Sequence, residues 1–241
     1  MVEGLKDFLY KYKRNIQKEK EMSDLAKSLS ATVSHGDVTF EEAYQSLNLF
    51  KAFQPSQIKS EIKYLFEVVK TDQPKVICEI GSYKGGTLFL FSQAAPSDAL
   101  IISIDIQYPI ARKLGHEHLV KKDQQLVCIE GDTQDPKTIS RVMKMLHGRN
   151  IDFLFIDGDH SLFGVMNDYV RFYPLVKKGG VVAFHDINPD QFIRTGEQST
   201  SNVGGVPQFW ELIKKVSSDC FEFIDDPGQD GFGIGVLYKS R

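Results

Sequence analysis

Acidic side chains recur just where short apolar runs of this chain end. Glu79 lies in Val76–Ile80, Asp105 closes Leu100–Ile104, and Gly131-Asp132-Thr133 follows Leu126–Ile129. Asp157-Gly-Asp159-His160 follows Ile151–Ile156, and His185-Asp186 follows Gly180–Phe184. A carboxylate in such a place can accept hydrogen bonds from a diol, hold a cation or take a proton. Packing alone does not call for polar groups at the ends of consecutive apolar runs. Asp157 and Asp186 are expected to end neighbouring strands, about 4.8 Å apart, so their carboxylates can meet one cation.

The first run leads into Gly81-Ser82-Tyr83-Lys84-Gly85-Gly86-Thr87. Glycines let a backbone turn tightly and approach a ligand closely. The helix expected to follow, Thr87–Gln93, would aim unpaired N–H groups and a partial positive charge into the same place. The spacing is neither Gly-x-Gly-x-x-Gly nor a phosphate loop ending in Gly-Lys-Ser/Thr. A glycine turn without a pyrophosphate pattern, followed by acids at the second and third strands, favours a ligand with adenosine and little phosphate. S-adenosylmethionine fits that description. Each glycine alone is equally a turn former, and Asp105 or Asp132 alone could be a helix cap.

Taken together, Val-Ile-Cys-Glu-Ile-Gly-Ser-Tyr-Lys-Gly-Gly-Thr (76–87), Ser-Ile-Asp (103–105), Gly-Asp-Thr (131–133), Phe-Ile-Asp-Gly-Asp-His-Ser (155–161) and Lys-Lys-Gly-Gly-Val-Val-Ala-Phe-His-Asp-Ile (177–187) resemble the class I S-adenosylmethionine-dependent methyltransferases. The likeness spans roughly residues 55–241 and is nearest the small-molecule and sugar O-methyltransferase branch, akin to cephalosporin-biosynthesis and macrolide-sugar enzymes. The resemblance implies that Glu79, Gly81 and Ser82, with Tyr83, Gly86 and Thr87 of the same turn, surround the methionine and ribose. It implies Asp105 on the ribose hydroxyls, Asp132 and Thr133 flanking the adenine, and Asp157 bordering the cofactor. It also implies a divalent ion, magnesium in many relatives, at Asp157, His185 and Asp186. His185 stands where those relatives carry a carboxylate or amide. Imidazole suits manganese, iron or zinc better than magnesium, so a different ion, a His185 turned aside, or no metal all stay open. The resemblance makes Asp159 the base that prepares the acceptor hydroxyl. His160 is the rival, with an ordinary pKa of about 6.5, and both could instead cap the helix expected near Ser161.

These residues need an α/β scaffold to bring them together. Strands are expected at Val76–Ile80, Leu100–Ile104, Leu126–Ile129, Ile151–Ile156 and Gly180–Phe184, and helices at Thr87–Gln93, Ile110–Val120, Ile139–Leu146 and Val165–Val176. The strands are near-continuous apolar runs, so helices should cover both faces of a parallel sheet. The loop between Phe221–Ile224 and Phe232–Leu237 is too short for a crossover helix, which makes that pair an antiparallel hairpin at the edge. The expected fold is a Rossmann-like, doubly wound, seven-stranded sheet, mostly parallel, with a helical extension over 1–50 ahead of a methyltransferase domain over 51–241. Asn188–Val206 reads as a binding loop or lid, with plain disorder as the competing reading. Phe209 and Trp210 should anchor the last helix, and His116, His118 and His147 sit in polar helical contexts expected at the surface.

At 241 residues, 41% apolar and 25% charged, the composition is that of a globular protein. A net charge of −3 without a basic block argues against a nucleic-acid partner. No 18-residue apolar run suggests a membrane span. Cys78, Cys128 and Cys220 are odd in number and read as reduced thiols, pointing to the cytoplasm. Leu5, Phe8, Leu9, Tyr12 and Ile16 lie at helical spacing, a stripe that could pack on the body or join a homo-oligomer. The expected partner is a small-molecule hydroxyl acceptor. A hydroxylase-like enzyme on the same scaffold and a non-catalytic binding protein are the competing functions.

Overall fold

The computed structural model describes residues 17–18, 20–32, 38–107 and 115–240. The stripe from Leu5 to Ile16 and the first part of the helix expected over 110–120 lie outside them. Seven strands form one sheet in the order β3-β2-β1-β4-β5-β7-β6. They are β1 Val76–Ile80, β2 Leu100–Asp105, β3 Gln125–Glu130, β4 Ile151–Ile156, β5 Val176–His185, β6 Cys220–Phe223 and β7 Ile234–Tyr238. The first five pair in parallel, and β7 runs antiparallel between β5 and β6. The expected sheet, including its terminal hairpin, is the one found. The order reverses at β1, so ligands are expected beyond the carboxyl ends of β1, β2 and β4.

Alternation along β1 divides the core. Ile77 packs with a layer built by α1 (20–31), α2 (Phe40–Leu49), α3 (Lys59–Asp72) and α4 (Gly86–Ala94). Val76, Cys78 and Ile80 face the opposite layer, from α5 (Pro136–Leu146), α6 (Leu162–Phe172) and α8 (Val206–Val216). Ala26, Leu29, Phe40, Ala43 and Leu47 are buried with α3 and α4, so the segment ahead of residue 50 shares its core with the sheet. Thr39 and Glu42 form a full capping box at the start of α2.

Three local expectations change. Helix α6 stops at Phe172, a 3₁₀ turn covers Tyr173–Leu175, and Val176 opens β5. Pro174 cannot continue a helix, so Val176 pairs with Ile151 and the register then shifts before Phe153 meets Val181. Strand β3 is half exposed because it forms the sheet edge, whereas both faces were expected to be covered. His116 is fully buried, not at the surface. It packs against Gly85, where a Cβ would lie 2.6 Å from the imidazole Nε2. Trp210 is buried and donates to Glu222 Oε1 at 2.6 Å, tying α8 to β6 as expected of an anchor.

Candidate active site

The β1 turn fits against the loop after β4 because Gly81 has no side chain. Its φ is +86°, and a Cβ there would overlap the Asp157 carbonyl. Gly81 N–H donates to Ile104 at 2.8 Å and Asp157 N–H to Ile80 at 2.9 Å, locking three strand ends together. Above them opens a cavity of about 720 Å³, lined by Gly81, Tyr83, Asp105, Asp132, Thr133, Asp157, Asp159, His160, His185 and Asp186. The residues expected to do chemistry therefore share one space.

Glu79, Ser82, Gly86 and Thr87 stand behind that wall. Glu79 is fully buried and accepts from the Thr87 hydroxyl. Burial pushes its carboxyl up to about 8. The hydroxyls of Ser82 and Ser103 are bonded to each other. Gly86 leaves room for the backbone of Phe53–Pro55, which a Cβ would strike. These four shape the turn and do not line the cavity.

At one part of the cavity Asp105 accepts from Tyr83 N–H at 2.8 Å and Gln107 N–H at 3.0 Å, one bond to each oxygen. Each carboxylate oxygen keeps a lone pair for a ligand. Asp132 accepts from Gln134 N–H at 2.8 Å. Asp168 lies beneath, 1% exposed, with an oxygen 3.3 Å from where a Cβ on Gly158 would be. Burial pushes its carboxyl up to about 6.

Two carboxylates and two imidazoles meet elsewhere in the same cavity. Asp157 Oδ1 lies 3.1 Å from His185 Nδ1 and 3.5 Å from His160 Nε2. Asp186 Oδ2 lies 3.3 Å from His160 Nδ1 and 3.4 Å from His185 Nδ1. Bonding to Asp157 is the main influence that pushes His160 up to about 9. Burial opposes a proton on His185, yet the Asp157 charge prevails and lifts it to about 10. Burial works against charge on Asp157 too, and the His185 and His160 partners still hold its carboxyl below the ordinary range. His160 Nδ1 donates to the Asn202 carbonyl at 2.6 Å, which commits that nitrogen and leaves Nε2 facing Asp157. Ligand atoms of Asp157, His160 and Asp186 all fall within 4.8 Å of one another. The metal set expected from sequence had His185 in place of His160. Asp159 accepts from Ser161 N–H at 2.9 Å and packs where a Gly164 side chain would be, a turn just ahead of α6, whose N-cap is Ser161 accepting from Gly164 N–H.

Several contributors were absent from the sequence reading. Gln57 donates from Nε2 to Asp157 Oδ2 at 2.6 Å, and its buried Oε1 has no hydrogen-bond partner. Asn202 and Phe232 come from distant loops to line the cavity. Phe232 has φ +60° between Gly231 at +83° and Gly233 at +85°. A bulky residue in that region costs about 1–3 kcal/mol and persists where its surroundings fix it. Asp230 accepts from Gln191 N–H, Thr200 N–H and the Ser199 and Thr200 hydroxyls. That set straps the 191–202 segment, with its short helix α7 (Gln191–Thr195), to the β6–β7 loop.

Residues 78–187 match the family model described as a methyltransferase domain. That stretch of the chain is similar to methyltransferase domains. The chain is 28% identical over 156 residues to caffeoyl-CoA O-methyltransferase of Medicago sativa, covering 59% of each chain. It is 35% identical over 115 residues to an uncharacterized protein of Acanthamoeba polyphaga mimivirus, covering 45% of this chain and 49% of that one. The chain thus spans about half to three-fifths of the curated relatives it matches. An O-methyltransferase of Streptomyces achromogenes involved in tomaymycin synthesis, solved with S-adenosylmethionine, overlays with a TM-score of 0.53 at 17% identity, covering 92% of this chain and 99% of that one. That likeness carries the fold. Among the described residues no helix is long and apolar enough to cross a membrane.

Proposed function

We propose that the protein transfers a methyl group from S-adenosylmethionine to a hydroxyl of a small molecule, assisted by a divalent cation. What carries this reading is one cavity containing both Asp105 and the Asp157–His160–Asp186 cluster. The named O-methyltransferase among the relatives supports the same reaction class. The cofactor would supply an electrophilic methyl on a sulfonium, with its ribose hydroxyls on Asp105 and its adenine beside Asp132 and Thr133. Methyl transfer is an in-line displacement, so the protein's work is to align the acceptor and remove its proton.

Asp157 and Asp186 would hold the cation, with His160 within reach. Two carboxylates beside an imidazole are a donor set that manganese accommodates better than magnesium. A cation there lowers the pKa of a nearby hydroxyl. In the free cluster His160 keeps its proton at neutral pH, since the two carboxylates hold it. A cation held there would displace that proton, since Nδ1 is committed to the Asn202 carbonyl and Nε2 is the nitrogen left to ligate it. Asp159, which lines the same cavity, is the carboxylate left to take the acceptor proton. We place the acceptor among sugars or secondary metabolites and the protein in the cytoplasm, in keeping with three free cysteines.

The test is release of S-adenosylhomocysteine from the full chain given S-adenosylmethionine, manganese or magnesium, and a panel of vicinal diols on sugars and aromatic rings. Turnover that depends on the cation and is lost in Asp157→Asn supports the proposal. Thermal stabilisation by S-adenosylmethionine without turnover on any acceptor would favour a binding protein.

A further inference from the structure

Phe232 joins three features seldom found in one residue. It has left-handed backbone geometry without being glycine, it lines the cavity, and its ring stands edge-on to His185 with centroids 6.1 Å apart. The turn around it is fixed on both sides. Asn188 N–H donates to the Phe232 carbonyl at 2.8 Å, and Asn188 Nδ2 to the Gly231 carbonyl at 3.1 Å. Gly233 N–H donates to Glu61 Oε2 at 2.9 Å, and Glu61 is itself 1% exposed. The flanking glycines have no room for side chains: a Cβ at Gly231 would strike the Ser201 hydroxyl, and one at Gly233 would lie 3.1 Å from Ile187. An unfavourable backbone conformation held this firmly at a cavity wall suggests that the side chain it aims has a use. The ring is only half-buried, so one of its surfaces is left for a ligand.

We propose that Phe232 is the acceptor-selecting wall of this site, an apolar surface against which a ring-borne acceptor lies so that its hydroxyl meets the Asp157–His160–Asp186 cluster. This rests on the methyltransferase function proposed above. Aromatic walls orient a ring without committing polar groups, and the polar cluster beside it then fixes which edge of the ring reacts.

The test uses the full chain with S-adenosylhomocysteine and manganese bound, titrated with 4-nitrocatechol, a ring-borne diol followed by its own absorbance. Phe232→Ala is expected to weaken probe binding at least tenfold, and Phe232→Leu to recover most of the loss. S-adenosylhomocysteine affinity stays unchanged in both. Phe232→Gly should keep or raise the thermal midpoint, because glycine suits φ near +60°. Equal probe affinity in Phe232→Ala and wild type, no probe binding to the wild type, or loss of S-adenosylhomocysteine binding in the variant each overturns the assignment. A wild type that does not bind S-adenosylhomocysteine overturns the methyltransferase function, and the role of Phe232 with it.

Discussion

The Gln57 amide donates to Asp157 Oδ2 at 2.6 Å, joining two residues 100 positions apart in the sequence. Gln57 precedes α3, ahead of the whole sheet, while Asp157 follows β4. One oxygen of Asp157 is therefore oriented from the N-terminal side of the fold, leaving the other for the two imidazoles. Hydrogen bonds to charged groups contribute about 1.5–3 kcal/mol. Gln57→Leu should thus lower the acceptor methylation rate about tenfold or more, with S-adenosylmethionine affinity unchanged. Steady-state kinetics with a cofactor-binding titration checks it, and equal rates would remove Gln57 from the site.

Asp105 holds the turn through Tyr83 and Gln107 N–H groups while keeping lone pairs for a ligand. Asp105→Asn keeps the shape and loses the charge. S-adenosylhomocysteine affinity, measured by calorimetry, should fall about tenfold to a hundredfold. Asp132→Asn should cost less, since Asp132 is exposed and already bonded to Gln134.

Asp230 is the knot of the strap over the cavity. Backbone N–H bonds from Gln191 and Thr200 hold its carboxyl well below the usual range. A lowered carboxylate pKa supports structure above the unfolded value and loses that support as pH falls through the folded one. The strap should therefore stay closed at neutral pH and loosen only in strong acid. Asp230→Ala should open it at every pH, seen as faster proteolysis within 196–203 and a raised acceptor KM.

Glu79 gives the opposite sign. Its carboxyl is pushed up to about 8 by burial, so the neutral form suits the fold. Its contribution to stability is complete below the unfolded value near 4.5 and declines as pH rises toward 8. Glu79→Gln should flatten the thermal midpoint between pH 5 and 8 and exceed wild type at the alkaline end of that window. A midpoint profile parallel to wild type would contradict this.

Much of the scaffold was legible because β1, β2 and β4 are apolar on both faces, and their terminal acids follow directly in sequence. Asp105, Asp132, Asp157 and Asp186 could be read from position alone. Glu79 could not be placed so simply, since alternation along β1 turns it behind the wall, where it meets Thr87. That His160 would join His185 beside the two carboxylates was hard to read, because the Asn202 carbonyl that holds its ring lies 42 residues away. Gln57, Phe232 and Asp230 carry no local signal, because each works only once distant loops are brought over the same strand ends. The Gly-Phe-Gly run at 231–233 was the one available hint.

The most direct measurement is a crystal structure of the full chain with S-adenosylhomocysteine and manganese. It should place the ribose hydroxyls on Asp105 and the adenine beside Asp132 and Thr133, with the sulfur directed at Asp157, His160 and Asp186. A nucleoside bound outside this cavity, or a sulfur facing away from the cluster, would contradict the account.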